Sequence, residues 1–293
     1  MLTRRRFLQS AGGVLALGAG AGAYGVVIEP GLRLAIARWQ VAHRGWPDAM
    51  PPLRIAILTD LHAMEPWMPV PRIEQIVETA NALAPDLTVL LGDYVASMRR
   101  FRSDSVPIPD WSRALARLRA PLGVYAILGN HDWWEDPQGV RAGLEKNGIG
   151  VLENRAIRLR HGGRRFWLAG LGDQLAIRKG RGYVGVDDLP GTLAPTLGDH
   201  DPMILLAHEP DIFVRVPERV TLTLSGHTHG GQVRLPFIGR PVIPSRYGQR
   251  FAYGHIVEGG RNLVVSSGLG LTGLPVRFMV PPEIALVTLA APT

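Results

Sequence analysis

The chain contains no cysteine among its 293 residues. That excludes disulfides, thiolate metal sites and a cysteine nucleophile, so any bound metal must be held by His, Asp, Asn or Glu. Lysine is nearly absent as well, with Lys146 and Lys179 the only two. The formal charge of +7 therefore rests almost wholly on arginine, and Arg4, Arg5 and Arg6 fall in residues 1–23, which hold no acid. Without that segment 29 basic side chains face 25 acidic ones, an excess of +4. So small an excess, with no basic run beyond "RRFR" at 99–102, argues against nucleic acid as a partner.

Glycine and proline, 35 and 24 residues, are abundant and predict many loops and turns rather than long helices. A hydrophobic content of 46% suits a globular protein with a real core. The amino terminus reads "TRRRFL", then an apolar Ala/Gly-rich run from Ala11 to Ile28, with small residues "AGAGA" at 19–23. This order resembles a twin-arginine export signal with cleavage after Ala21 or Ala23. The other reading is an uncleaved membrane anchor, for which a run of about 18 residues is at the lower limit. The expectation is residues 1–30 as signal peptide or anchor and residues 31–293 as one domain. The protein would lie in the periplasm or cell envelope, delivered by the twin-arginine machinery, with a membrane-anchored form as the alternative.

Beyond residue 30 no repeat or low-complexity segment occurs. Residues 32–41 read as a first strand or an amphipathic helix. Apolar, β-rich runs at 53–58, 87–91, 123–128, 203–207, 220–224, 262–267 and 284–289 read as strands, with shorter ones near 150–152, 156–160 and 165–170. Residues 72–84, 112–119 and 137–147 carry helical patterns. Alternating strands and helices imply a layered α/β fold, and the strand-rich second half implies two sheets packed together with helices outside.

Polar motifs follow the strands. After "LRIAIL" comes "TDLH" (Asp60, His62), after "LTVLL" "GDY" (Asp93), and after "GVYAIL" "GNHD" (Asn130, His131, Asp132). After "MILLA" comes "HEP" (His208), and after "VTLTL" "SGHTHGG" (His227, His229). Each motif alone reads equally as a turn, a cap or a rim histidine. Together they place five of nine histidines at strand ends, leaving His43, His161, His200 and His255 without a comparable context. Ligands gather at the carboxyl ends of strands in open α/β sheets, so the pattern predicts convergence in space.

This ordered set resembles the calcineurin-like metallophosphoesterase superfamily, and the match runs from about residue 53 to 289. The closing "SSGLGLTGLPVRFMVPPEIALVTL", the twin-arginine start and "IEP" at 28–30 look more narrowly like exported bacterial YaeI/YkuE-type phosphodiesterases. The resemblance implies a four-layer α-β-β-α sandwich of two mixed sheets flanked by helices, and two divalent metal ions. Carried over by motif, Asp60, His62 and His229 would hold one metal, Asn130, His208 and His227 the other, and Asp93 would bridge them. His131 would be the catalytic residue, assisting the leaving group while metal-bound hydroxide attacks. Mixed imidazole and carboxylate donors suit Mn, Fe or Zn.

One departure stands out. Where many members carry "GDxxD", this chain has "GDYVA", with Ala96 in place of the second Asp that orients the catalytic histidine. Asp132, Ser97, a backbone carbonyl or water are the substitutes. Trp67, Trp133 and Trp134 read either as an apolar lip or as packing residues. Arg277 reads either as a phosphate ligand or as a surface ion pair. The leading expectation is an exported phosphodiesterase acting on a small-molecule or lipid phosphoester. A pyrophosphatase on an envelope lipid or nucleotide-sugar is the second, and a non-catalytic metal- or envelope-binding protein the third.

Overall fold

The computed structural model describes residues 18–96, 98–101 and 103–292. The twin-arginine motif and Ser97 lie outside the described residues. Parallel strands covered on both faces should read as continuous apolar runs, and they do. β2 (Leu53–Leu58), β3 (Leu87–Leu90), β4 (Val124–Ala126) and β5 (Gly150–Val151) run parallel in the first sheet. That sheet is completed on the other side of β2 by β14 (Glu283–Ala290), antiparallel to it, and by β1 (Ala35–Ala42). In the second sheet β7 (Arg164–Gly170), β10 (Met203–Leu206), β11 (Leu222–Ser225) and β13 (Arg261–Val265) are parallel. The antiparallel β6 (Arg155–His161) and β12 (Gly254–Glu258) close its two edges.

The sheets face each other across an apolar layer. Ile55, Ile57, Val89 and Ile127 from the first meet Phe166, Leu168, Ile204, Leu206 and Leu224 from the second, all fully buried. Helices α1 (Val70–Ala82), α2 (Ile108–Leu115) and α4 (Pro137–Lys146) cover the outer face of the first sheet. α1 shows why: Ile73, Ile76, Val77 and Ala80 recur at helical spacing and are the buried face. The second sheet has thinner cover, the five-residue α5 (Leu189–Leu193) and the 3₁₀ segment Pro210–Arg215, which bury Leu189, Leu193, Ile212 and Phe213. The arrangement is the four-layer α-β-β-α sandwich.

Several local readings shift. Of residues 32–41, Leu32 ends the π-helical turn Tyr24–Leu32 and the strand reading holds from Ala35, where β1 pairs along its length with β14. The second helix starts four residues early, at Ile108, where Pro107 and Pro109 set its first turn. "GNHD" is not a free turn but the entry to a short helix, α3 (Asn130–Glu135), where the Asp132 carboxylate accepts from Gly129 N–H at 2.9 Å. A hairpin of β8 (Ile177–Lys179) and β9 (Gly182–Val184) was unanticipated; it is exposed, so it lacks the apolar run that marks the buried strands. Among the described residues no helix is long and apolar enough to cross a membrane.

Candidate metal centre

The carboxyl ends of the parallel strands of both sheets meet at one place. β2 delivers Asp60 and His62, β3 Asp93, β4 Asn130 and His131, β10 His208, and β11 His227 and His229. Asp60, His62, Asp93, His227 and His229 all hold a left-handed backbone, with φ of 53°, 44°, 58°, 67° and 50°. Non-glycine residues seldom adopt this region, and such strain clusters at functional sites. Small residues let the loops close in. A Cβ on Gly226 would lie 2.1 Å from Thr59 Oγ1 and 2.6 Å from Asp60 Oδ2.

The donor atoms form two adjoining groups. In the first, Asp60 Oδ1 is 3.4 Å from His229 Nε2, which is 3.1 Å from His62 Nε2. In the second, Asn130 Oδ1 is 3.0 Å from His227 Nδ1. Asp93 stands between them, its Oδ2 3.5 Å from His62 Nε2 and 3.2 Å from His208 Nε2. Asp60, His62 and His229 have donor atoms within 4.8 Å of one another, and so do Asp93, His208 and His227. All seven expected metal ligands are therefore gathered, and all are buried.

Two links across the sheets fix the rings. His208 Nδ1 lies 2.6 Å from Leu91 O, which makes that nitrogen the donor and turns Nε2 toward Asp93; against the effect of burial, the Asp93 carboxylate holds this imidazole well above its usual pKa. His227 N–H donates to both Asp60 carboxylate oxygens, at 3.0 and 3.1 Å. Burial pushes the His62 imidazole down to about 3 and lowers His227 and His229 too, so these rings are neutral and their lone pairs free. Burial raises the Asp60 carboxyl to about 7. Burial would also raise Asp93, but His208, His131 and His62 around it hold it well below the usual range. Buried lone pairs converging this closely need positive charge between them, and imidazole with carboxylate is the donor set of first-row divalent metals. The residues fit the group.

His131 is half-buried at the cleft. Its N–H donates to Asp93 Oδ1 at 2.8 Å, and its ring lies edge-on to His62 and tilted against Trp134, at 4.8 and 4.9 Å between centroids. Asp132 is not its orienter. The Asp132 oxygens accept from the N–H groups of Asp93, Tyr94, Val95 and Gly129, at 2.8 to 3.2 Å, which pins the loop after β3 to α3. Ala96 is buried and offers no polar side chain. The polar atom facing the ring is Thr272 Oγ1, 3.4 Å from His131 Nε2.

Other expectations change. Arg277 is neither a phosphate ligand nor a surface ion pair. It is fully buried and donates to the carbonyls of Ser267, Gly268, Gly270 and Val280, with Nη2 3.4 Å from His229 Nδ1. Of the three tryptophans only Trp134 lines the cleft. Trp133 packs on the helical core and donates to Glu153, while Trp67 donates to Val26 O. Sequence reasoning missed Thr272, which sits in "GLGLTG", and the neighbouring carboxylates Asp173 and Glu209. Asp173 follows β7 in the way that Asp93 follows β3, so the strand-end rule would have found it. Asp173, Glu209 and His208 have donor atoms within 4.8 Å, and burial and Glu209 push the Asp173 carboxyl up to about 10.

Residues 53–231 match the family model described as calcineurin-like phosphoesterase. The chain is 33% identical to the uncharacterized metallophosphoesterase YkuE of Bacillus subtilis, over 98% of each chain. It is 32% identical to the phosphodiesterase YaeI of Escherichia coli, over 99% of this chain and 100% of the relative. With that sequence match over nearly full length, and with the two-sheet fold converging on a buried cluster of imidazoles and carboxylates, the chain belongs to the calcineurin-like metallophosphoesterases, metal-dependent hydrolases of phosphoesters.

Proposed function

We propose that the protein is an exported phosphodiesterase that uses two divalent cations, Mn, Fe or Zn by donor chemistry. The observation that carries the reading is Asp93, whose Oδ2 faces a histidine of each donor group. Asp60, His62 and His229 would hold one cation and Asn130, His208 and His227 the other, with Asp93 between the two donor groups. When bound, the pair neutralises phosphate charge and lowers the pKa of the attacking water. Leu91 O keeps the His208 ring in the tautomer that presents Nε2, and Asp60 keeps the His227 loop in register. His131 presents Nε2 to the cleft next to Thr272 and gives the leaving oxygen its proton, or stabilises its charge.

Preference for a diester draws on the phosphodiesterase YaeI and on the cleft. Its volume is about 410 Å³, walled by Trp134, Tyr183 and Arg246, with room for an organic group on either side of a phosphate. Export draws on "TRRRFL" and the apolar run after it. We place a leader within residues 1–30 and a single catalytic domain after it. Cleavage after Ala21 or Ala23 would keep Glu29, whose buried carboxylate accepts from the N–H groups of Met279 and Val280.

The test is hydrolysis of bis-p-nitrophenyl phosphate against p-nitrophenyl phosphate after metal stripping and add-back of Mn, Zn, Fe, Ni or Mg. Metal-dependent turnover favouring the diester is expected, with Asp93→Asn and His229→Ala each at least about 100-fold slower and poorer in bound metal. Unchanged turnover in both variants would overturn the assignment. Replacing Arg4 and Arg5 by Lys should keep the protein in the cytoplasm, and export of that variant would remove the twin-arginine reading.

A further inference from the structure

Two surface features beside the cleft have no part in the reading above. The first is an apolar groove of about 420 Å³ lined by Val233, Pro241, Val242, Pro244, Leu274 and Val276. His229 and Thr272 border both this groove and the cleft that contains Asp93 and His131. An organic substituent leaving the phosphate on that side meets apolar side chains immediately.

The second feature is the placement of exposed apolar side chains. Among the described residues, nine of the sixteen large exposed ones fall on three segments, 26–32, 237–242 and 274–279. Phe237, Ile238, Val242 and Leu274 are 109%, 71%, 70% and 59% exposed. These segments are tied into one face. Arg234 N–H donates to Phe278 O at 2.8 Å, Arg277 N–H to Gly25 O at 2.9 Å, and Glu29 accepts from Met279 and Val280 N–H at 3.0 and 2.6 Å. Val26, Val27, Ile28 and Leu32, 36%, 57%, 42% and 71% exposed, are the amino-terminal part of this surface. Soluble proteins rarely keep so much apolar surface together unless something apolar covers it. Here the exposed apolar surface adjoins a groove that shares His229 and Thr272 with the cleft.

We propose that the substrate is a phospholipid-type diester presented by a bilayer. Its phosphate sits at the His-Asp cluster, its alkyl or acyl chain lies in the Val242–Leu274 groove, and the face carrying Phe237 and Ile238 meets the membrane. This rests on the hydrolase reading and names its substrate class.

The experiment uses the metal-loaded full chain and a series of n-alkyl p-nitrophenyl phosphates, methyl, butyl and octyl, below their micelle concentrations. A methylene fully buried in the groove is worth about fourfold in kcat/KM, so a rise of at least about tenfold from methyl to octyl is expected. In Val242→Asp and Leu274→Asp the octyl-to-methyl ratio should fall to near one. Both side chains are more than half exposed, and melting temperature and metal content check that the fold is kept. The second readout is co-sedimentation with phosphatidylcholine/phosphatidylglycerol vesicles, expected for the wild type and reduced in a Phe237→Asp, Ile238→Asp double variant, both side chains being exposed. A flat alkyl series with the methyl ester still hydrolysed overturns the lipid inference and leaves the hydrolase standing. No hydrolysis of any ester sinks the hydrolase reading and this one with it. Equal vesicle binding by the double variant removes the face from the membrane contact. A flat series together with self-association in sedimentation velocity gives the face to a second copy instead.

Discussion

Asp132 holds the loops of the first sheet, whereas Arg277 holds the connection from the second sheet back to the first. The Asp132 carboxyl, pushed up to about 7 by burial and Asp93, accepts from four backbone N–H groups, and the Arg277 guanidinium donates to four backbone carbonyls. The first sheet supplies Asp60, His62, Asp93 and Asn130, mostly oxygen donors, and the second supplies His208, His227 and His229, all imidazoles. Neither sheet completes the site alone. The two anchors show how a buried ionisable group is tolerated beside a polar centre: its hydrogen bonds go mainly to loop backbone, so neither of these side chains is left unpaired.

The anchors should not be equal. Asp132→Ala strips an acceptor from four N–H groups, and orphaned buried N–H groups are rarer in proteins than under-satisfied carbonyls. A loss of about 3 kcal/mol is expected, read as a lower melting temperature and a weaker metal load. Arg277→Met should lose less, about 2 kcal/mol, because carbonyls bear a missing donor better. A larger loss for Arg277→Met would reverse the comparison.

Asp173 sharpens it from the second sheet. Its carboxyl is raised from 3.8 to about 10 by burial and Glu209, so the folded state keeps a proton that the unfolded chain gives up. The stability it lends is complete below about pH 4 and is lost as pH rises toward 10. Asp173→Asn should therefore melt higher than the wild type at pH 9 and show a flatter stability profile between pH 5 and 9. Parallel profiles for the two proteins would show that the carboxyl ionises in the fold as it does outside it.

The smallest effect belongs to the cleft rim. Tyr183 stacks on Trp134 with centroids 5.2 Å apart, and Arg178 lies 4.1 Å over the Trp134 ring. Such contacts are worth about 1 kcal/mol. Tyr183→Ala should raise KM for an aryl diester about fivefold with kcat little changed. A fall in kcat with KM constant would move the hairpin from substrate binding to the placing of His131.

Most of the fold was legible because fully buried parallel strands leave apolar runs with sharp polar ends. The β8–β9 hairpin left no such trace, being exposed on both faces. The strand-end motifs pointed to the seven clustered side chains but not to Asp173 and Glu209 beside them, although residues just past each strand are where chemistry at a sheet's carboxyl edge arises. They said less about support. Asp132 was read as a substitute partner for His131 and Arg277 as a phosphate ligand or a surface ion pair, yet both turn to loop backbone, and which amides and carbonyls surround them is a matter of three-dimensional packing. Ala96 was visible as a missing partner for His131, but Thr272 faces that ring from 141 residues away in the chain.

The sequence by itself determined the layered class, the order of the candidate donor residues and their mix of imidazole and oxygen, because strand period and residue type are local properties. Only the tertiary structure decided which donors share a neighbour, that Asp93 stands between the groups, and that an apolar groove opens beside His229. Those facts depend on two sheets packing face to face with their carboxyl ends together, and distances across that seam are written in no single segment.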